Sequence, residues 1–291
     1  MPRTLIRLAL SCLFVAALGG ASQSKNAQTF PLSFYGTRPA IEVRVNGHGP
    51  FLFLVDTGAG GPYARADASL VARLSLPTEG EEETSDGGGA TRSIKRVTLQ
   101  SVEVGNFSAK NVAALSRDYG SPTWLTKIDG ILGPHFFRDH LLTISFARGY
   151  LRIEDGELPP ADGANIMDYE LREGNIWIPM SIAGRAVTAV LDTGNIRALD
   201  VPSAALKSLR LASFPRPAGN SSGASGTTAI REVRLAGPLR IGKHVFPAQD
   251  VTFADDFQEV NVGSTLLQDF EVTIDQKNRR LRLVRIRTTK R

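Results

Sequence analysis

Twice in this chain an apolar run that reads as a buried strand breaks into Asp-Thr-Gly, first at Asp56-Thr57-Gly58 and again at Asp192-Thr193-Gly194. The runs are Phe51-Leu52-Phe53-Leu54-Val55 and Val187 to Leu191, so each aspartate falls where a core strand turns. A carboxylate at a strand tip is held rigidly and stays reachable. Two of them in matched settings imply one shared site.

The match extends well beyond the tripeptides, and duplication is the economical explanation. Val43-Arg44-Val45-Asn46-Gly47 leads to the first Asp-Thr-Gly as Met180-Ser181-Ile182-Ala183-Gly184 leads to the second. Val97-Thr98-Leu99 followed by Val102 to Gly105 corresponds to Val233-Arg234-Leu235 followed by Leu239 to Gly242, and both read as strand, turn, strand. Finally, Gly130-Ile131-Leu132-Gly133 runs on to Leu151-Arg152-Ile153, as Asn261-Val262-Gly263 runs on to Leu281-Arg282-Leu283. Between the halves, Asp155 to Gly163 holds Pro159-Pro160 and reads as a linker or long turn. The expected division is a first lobe over 29–157, a linker over 158–167 and a second lobe over 168–287.

The fold class expected is mainly β, in two similar barrel-like lobes with a cleft between them, because most segments are short β-rich runs punctuated by Gly, Pro, Asn and Asp. Helical patterns are brief: Ala64 to Leu74, Pro202 to Leu209, and a turn at Pro134 to His140. With 291 residues, 42% of them apolar, the chain can fill two real cores.

The amino terminus carries Arg3 and Arg7, an apolar stretch from Leu8 to Leu18, and then Gly19, Gly20 and Ala21, the pattern of a secretory leader over 1–21. That stretch is shorter than the roughly 20 residues needed to cross a bilayer, so no membrane span is expected once it is removed. Export to the periplasm or the medium follows. Cys12 is the only cysteine and would leave with the leader, so the mature chain relies on its core without disulfides. Losing Arg3 and Arg7 lowers the formal charge from +5 to +3, a poor basis for binding nucleic acid. The remaining basic cluster, Arg279 to Arg287, alternates with apolar residues from Leu281 as a half-exposed strand does.

An apolar strand, Asp-Thr-Gly, a glycine-rich hairpin, then two apolar residues and Gly is a recurring series. The first half has it at Asp56-Thr57-Gly58 and Ile131-Leu132-Gly133; the second has it at Asp192-Thr193-Gly194 and, less closely, at Asn261-Val262-Gly263. Over residues 30–287 the chain thus resembles the two-lobed aspartic proteases, each lobe built like the retropepsin half. The resemblance implies an aspartic-type endopeptidase that hydrolyses extended polypeptides. Asp56 and Asp192 would activate a water, with no metal or organic cofactor. It also implies that Thr57 and Thr193 bond across to the opposite lobe. A monomer is expected, since one chain supplies both aspartates.

The chemistry accounts for the residue types. Amide hydrolysis needs a base to take a proton from water and an acid to support the carbonyl oxygen and then the leaving nitrogen. Two carboxyls sharing one proton supply both, because like charges a few ångströms apart resist joint ionisation. Gly58 and Gly194 leave room for backbone amides to reach the carboxylates. The candidate flaps are Ser85 to Thr91, with Gly87, Gly88 and Gly89, and Ser221 to Thr228, with Gly223 and Gly226. Neither holds a tyrosine, and glycine-rich tips suit mobile covers that exclude water.

Two residues depart from the series: Asn195 follows the second Asp-Thr-Gly, and Asn261 replaces an apolar residue. They leave open an alternative from another class, a peptide-binding or chaperone-like module with a degenerate site. Other chemistries find less support. Gly219-Asn220-Ser221-Ser222-Gly223 matches a hydrolase pattern but follows Pro215-Arg216-Pro217 rather than an apolar strand. His48, His135, His140 and His244 lack the i, i+4 spacing of a zinc protease, and no phosphate-cradling glycine motif is present. Asp129, just before Gly130, resembles the acidic turn residue of that family and reads as structural; Trp124 and Trp177 can line a binding cleft, with buried packing the favoured reading.

Overall fold

The computed structural model describes residues 26–85, 91–118, 128–223 and 226–286. The expected leader over 1–21, the flap glycines Gly87, Gly88 and Gly89, and Trp124 lie outside the described residues. Among the described residues the architecture is mainly β, with the strands gathered into three sheets.

Each half builds the same three-strand motif around its Asp-Thr-Gly. In the first, strand His48–Val55 pairs in parallel with Gly130–Leu132, which pairs antiparallel with Ala64–Asp67. In the second, Arg185–Asp192 pairs in parallel with Asn261–Gly263, which pairs antiparallel with Leu199–Pro202. The two-apolar-and-Gly segment is therefore threaded beside the aspartate-bearing strand in both lobes. Strand His48–Val55 grows more buried toward its end, where Phe53 and Val55 enter the core and bring Asp56 to the surface of that core. Strand Arg38–Val45 pairs with both His48–Val55 and Thr91–Val104, which curls the first sheet onto itself.

The third sheet belongs to both halves. Its order is Gln28–Pro31, Tyr150–Glu154, Leu141–Ser145, Phe270–Asp275, Arg280–Arg285, Ile166–Asp168. The central pair joins one half to the other in antiparallel register, with Thr143 opposite Thr273 and their buried hydroxyls 2.9 Å apart. Leu281 and Leu283 point inward from the final strand, while the Arg285 guanidinium covers the rings of Phe246 and Phe270. The segment between the lobes is pinned at several points. Asp162 Oδ1 accepts the backbone N–H groups of Ala164, Asn165 and Ile166, each at 2.8 Å. The Leu158 N–H donates to Asp275 Oδ2 at 2.9 Å. Ile166 and Met167 then enter the shared sheet as part of its outer strand.

Two local expectations are corrected. Ala64 to Leu74 is not all helix: Ala64–Asp67 is a strand, and the helix is Ala68–Arg73, capped by the Asp67 carboxylate accepting the Ser69 N–H at 2.9 Å. The alanine-rich composition favours helix, but Ala64 and Ala66 are small enough to be buried between neighbouring strands, and pairing on both sides overrides the propensity. In the second lobe the corresponding helix shrinks to Ser203–Leu206. The expected strand-turn-strand at Val97 to Val104 is instead one strand, Thr91–Val104. Its counterpart does break, between Gly226–Arg234 and Leu239–Ile241, where Gly237 and Pro238 intervene; Gln100 and Ser101 impose no such break.

Candidate active site

Asp56 and Asp192 face one another where the lobes meet. A Cβ placed on Gly58 would lie 2.5 Å from Asp192 Oδ1, and one placed on Gly194 would lie 2.6 Å from Asp56 Oδ1. Each carboxyl thus rests on the glycine of the opposite turn, and no side chain fits at either position.

The turns are held together by threonines. The Thr57 N–H donates to Thr193 Oγ1 and the Thr193 N–H to Thr57 Oγ1, both at 3.0 Å. The Thr57 hydroxyl donates to Leu191 O and the Thr193 hydroxyl to Val55 O, both at 2.6 Å. All four bonds cross between lobes, and both threonines are fully buried. Further contacts flank them. Thr37 Oγ1 lies 2.7 Å from Ser264 Oγ and donates to Ile196 O at 3.2 Å, while the Glu173–Gly174–Asn175 turn lies against Gly60 and Gly61.

The two carboxylates are served unequally. Asp56 Oδ1 accepts the Gly58 N–H at 2.8 Å. Asp192 Oδ1 accepts the N–H groups of Gly194 at 2.9 Å and Asn195 at 3.0 Å, while its Oδ2 accepts the Asn261 side-chain amide at 2.7 Å. Burial first, and then the Asp192 charge, push the Asp56 carboxyl up from 3.8 to about 7; the Gly58 N–H and the Arg65 charge oppose the rise. Although Asp56 keeps a little surface in the cleft, protein encloses the rest of it, so desolvation dominates. Two carboxyls so placed can hold one proton between them and polarise a water from both sides.

Asn195 and Asn261, read from sequence as departures, are wired into the site. The Asn195 side-chain amide donates to Asp200 Oδ2 at 2.9 Å and to Asn261 Oδ1 at 3.0 Å. Asp200, nearly fully buried, pairs with Arg197 through both carboxylate oxygens. Burial raises the Asp200 carboxyl above its usual range and Arg197 offsets part of that rise. Sequence reasoning missed Arg197 and Asp200. The available signal was a charged pair at i, i+3 directly after an Asp-Thr-Gly. It also missed Arg38, whose guanidinium feels the charges of both Asp56 and Asp192, and Glu259, raised first by burial and then by Glu173.

Hairpins flank both candidate flap tips. Thr78–Ser85 pairs with Thr91–Val104, and Arg216–Gly223 pairs with Gly226–Arg234, ending with Gly223 opposite Gly226. Each is tied to the segment following its own Asp-Thr-Gly: Tyr63 Oη donates to Glu82 Oε2 at 3.3 Å, and Arg197 Nη1 to Ser221 Oγ at 3.2 Å. Asp129 bonds the Leu52 N–H and Arg73, serving structure. Trp177 is part-buried beneath the Arg172 guanidinium, 4.5 Å from its ring centre. Among the described residues no three His, Cys, Asp or Glu side chains converge as metal ligands, and no helix is long and apolar enough to cross a membrane. An open hollow of about 390 Å³, lined by Gly61, His135 and Glu173 among others, includes neither carboxylate.

Residues 41–136 match the family model described as aspartyl protease. A search of curated proteins finds no match. Among solved structures, the crystal structure of aspartic proteinase from Irpex lacteus aligns with a TM-score of 0.55 and 16% identity, over 91% of this chain and 99% of that one.

Proposed function

We propose that this chain, which has the two-lobed aspartic-protease fold and the family's sequence signature in its first lobe, is an exported endopeptidase that uses Asp56 and Asp192 as its catalytic pair. The observation that carries the reading is the placement of each carboxyl on the glycine of the opposite Asp-Thr-Gly turn.

With one proton between them, the pair acts as base and acid together. The ionised member takes a proton from a water lodged between the carboxyls as the water oxygen attacks the scissile carbonyl. The protonated member donates to the developing oxyanion. Collapse of the tetrahedral intermediate returns a proton to the departing nitrogen, and the pair regains its singly protonated state. An extended peptide suits a cleft flanked by hairpins, where backbone pairing supplies affinity and side-chain pockets supply selection. Arg38 and Glu259, both within electrostatic reach of Asp192, give that cleft charges of both signs. The leader pattern over 1–21 supports export, and both aspartates lying in one chain supports a monomer.

Asp56→Asn and Asp192→Asn test the reading separately, with cleavage of an unfolded protein or a mixed peptide library followed between pH 4 and 7. Each is expected to abolish turnover and to leave the fold intact. Turnover that survives either change sinks the paired mechanism, and peptide binding without turnover in the unmutated chain favours the peptide-binding alternative.

A further inference from the structure

The lobes are near copies, yet their carboxylates are not equivalent. In the parallel pairings, Ile131 stands opposite Leu54 just as Asn261 stands opposite Val190. Where the first lobe offers Asp56 an isoleucine, the second offers Asp192 an amide donor 2.7 Å from Oδ2. The residues after the turns differ in the same sense. The Ala59 and Asn195 N–H groups both donate to the backbone oxygen of their own aspartate at 3.2 Å, but the Asn195 N–H also reaches the carboxylate, at Asp192 Oδ1, 3.0 Å away.

The orientation of the Asn261 amide is fixed by a chain of bonds. Asn195 Oδ1 accepts the Arg197 N–H at 3.0 Å, and a backbone N–H can only donate, so the Asn195 NH₂ must face the other way. There it donates to Asp200 Oδ2 and to Asn261 Oδ1. With its oxygen so occupied, Asn261 can present only its NH₂ to Asp192. An ionised carboxylate accepts such a bond better than a protonated one.

Resting on the paired-aspartate reading above, we infer that Asn261 is a positioning residue that fixes the negative charge of the pair on Asp192 and leaves the shared proton on Asp56. The other charges around the pair are Arg38, which acts on both carboxyls and more strongly on Asp56; Arg65, which acts on Asp56; Glu259, which acts on Asp192; and Asp200, which also acts on Asp192 and is paired with Arg197. None of them supplies the directed donor on Oδ2. The assignment makes Asp192 the base toward the water and Asp56 the acid toward the carbonyl oxygen. It also turns a departure from the apolar series into a functional substitution.

Two variants test it in the full mature chain. Asn261→Leu removes the donor at similar volume, and Asn261→Asp keeps the shape and the acceptor for Asn195 while replacing the donor with a second carboxyl. Carbon-13 carboxyl titrations of Asp56 and Asp192, which need no turnover, are expected to show Asp192 ionising before Asp56 in the parent. The gap should narrow by about one pH unit in Asn261→Leu and by more in Asn261→Asp. In parallel, the acid limb of the kcat profile should move to higher pH, with KM changed by less than about threefold. Asp56 ionising first in the parent, or titrations and profiles that superimpose across all three proteins, overturns the inference. A failure of the paired mechanism shows itself elsewhere, as turnover persisting in Asp56→Asn or Asp192→Asn.

Discussion

Thr57 and Thr193 hold one another in equal measure: each backbone N–H donates to the other's hydroxyl at 3.0 Å, and each hydroxyl donates to a carbonyl across the lobe boundary at 2.6 Å. Replacing either with valine keeps the shape and removes two bonds, leaving a buried N–H and a buried carbonyl unpaired. Thr57→Val and Thr193→Val are each expected to cost about 3 kcal/mol in urea unfolding. The double variant should cost less than the two losses added, because both act on one cluster. Losses below about 0.5 kcal/mol would show that the lobes are held by other contacts.

Gly58→Ala and Gly194→Ala probe how closely the carboxyls approach the opposite turns. The new methyl must displace the facing aspartate, so kcat/KM should fall by at least about 100-fold. Circular dichroism should remain that of the parent. Activity retained in either variant would mean that the turns can separate without consequence.

The raised Asp56 carboxyl makes stability and activity depend on pH in a stated direction. Between about pH 4 and 7 the folded chain holds a proton there that the unfolded chain has released, so this group makes the protein less stable as pH rises through that window. At about 1.4 kcal/mol per pH unit of separation, the decline amounts to a few kcal/mol. Urea midpoints measured across the window should fall in the parent, and Asp56→Asn should lack this component. Cleavage should also fade as pH passes about 7, where the pair loses its shared proton.

Asp129 joins three elements: its carboxyl accepts the Leu52 N–H at 3.0 Å and Arg73 Nη2 at 2.7 Å, and its backbone N–H and carbonyl bond Leu52 and Asp67. Asp129→Ala is expected to destabilise the chain by about 2 kcal/mol, and Asp129→Asn by less, because an amide oxygen still accepts the Leu52 N–H. Equal losses in thermal melts would assign the whole effect to the Arg73 pair.

What could be read from the sequence divides along a physical line. The duplicated apolar strands and their Asp-Thr-Gly ends were legible because strand burial imposes a local pattern, as at Phe51 to Val55 and Val187 to Leu191. Pairing across the chain was not. Ala64–Asp67 looks helical in isolation and becomes a strand because Gly130–Leu132 and Phe107–Arg117 border it. The continuity of Thr91–Val104 likewise depends on what Gln100 and Ser101 do not prevent. Asn261 is the sharpest case. Its place in the series marks it as a poor match, and only the register opposite Val190 brings its amide to Asp192.

The sheet centred on Thr143 and Thr273 carries a lesson for fragment work. Because strands 141–145 and 270–275 run side by side, with 28–31 and 166–168 closing the opposite ends, neither portion owns a finished architecture. A clip between Asp155 and Gly163 should therefore yield pieces that remain associated and part only on denaturation, and either piece made by itself would expose an open β-edge prone to self-association. The same interleaving equips every experiment with an internal mirror: nearly any alteration made at one address has a sibling address roughly half a chain away.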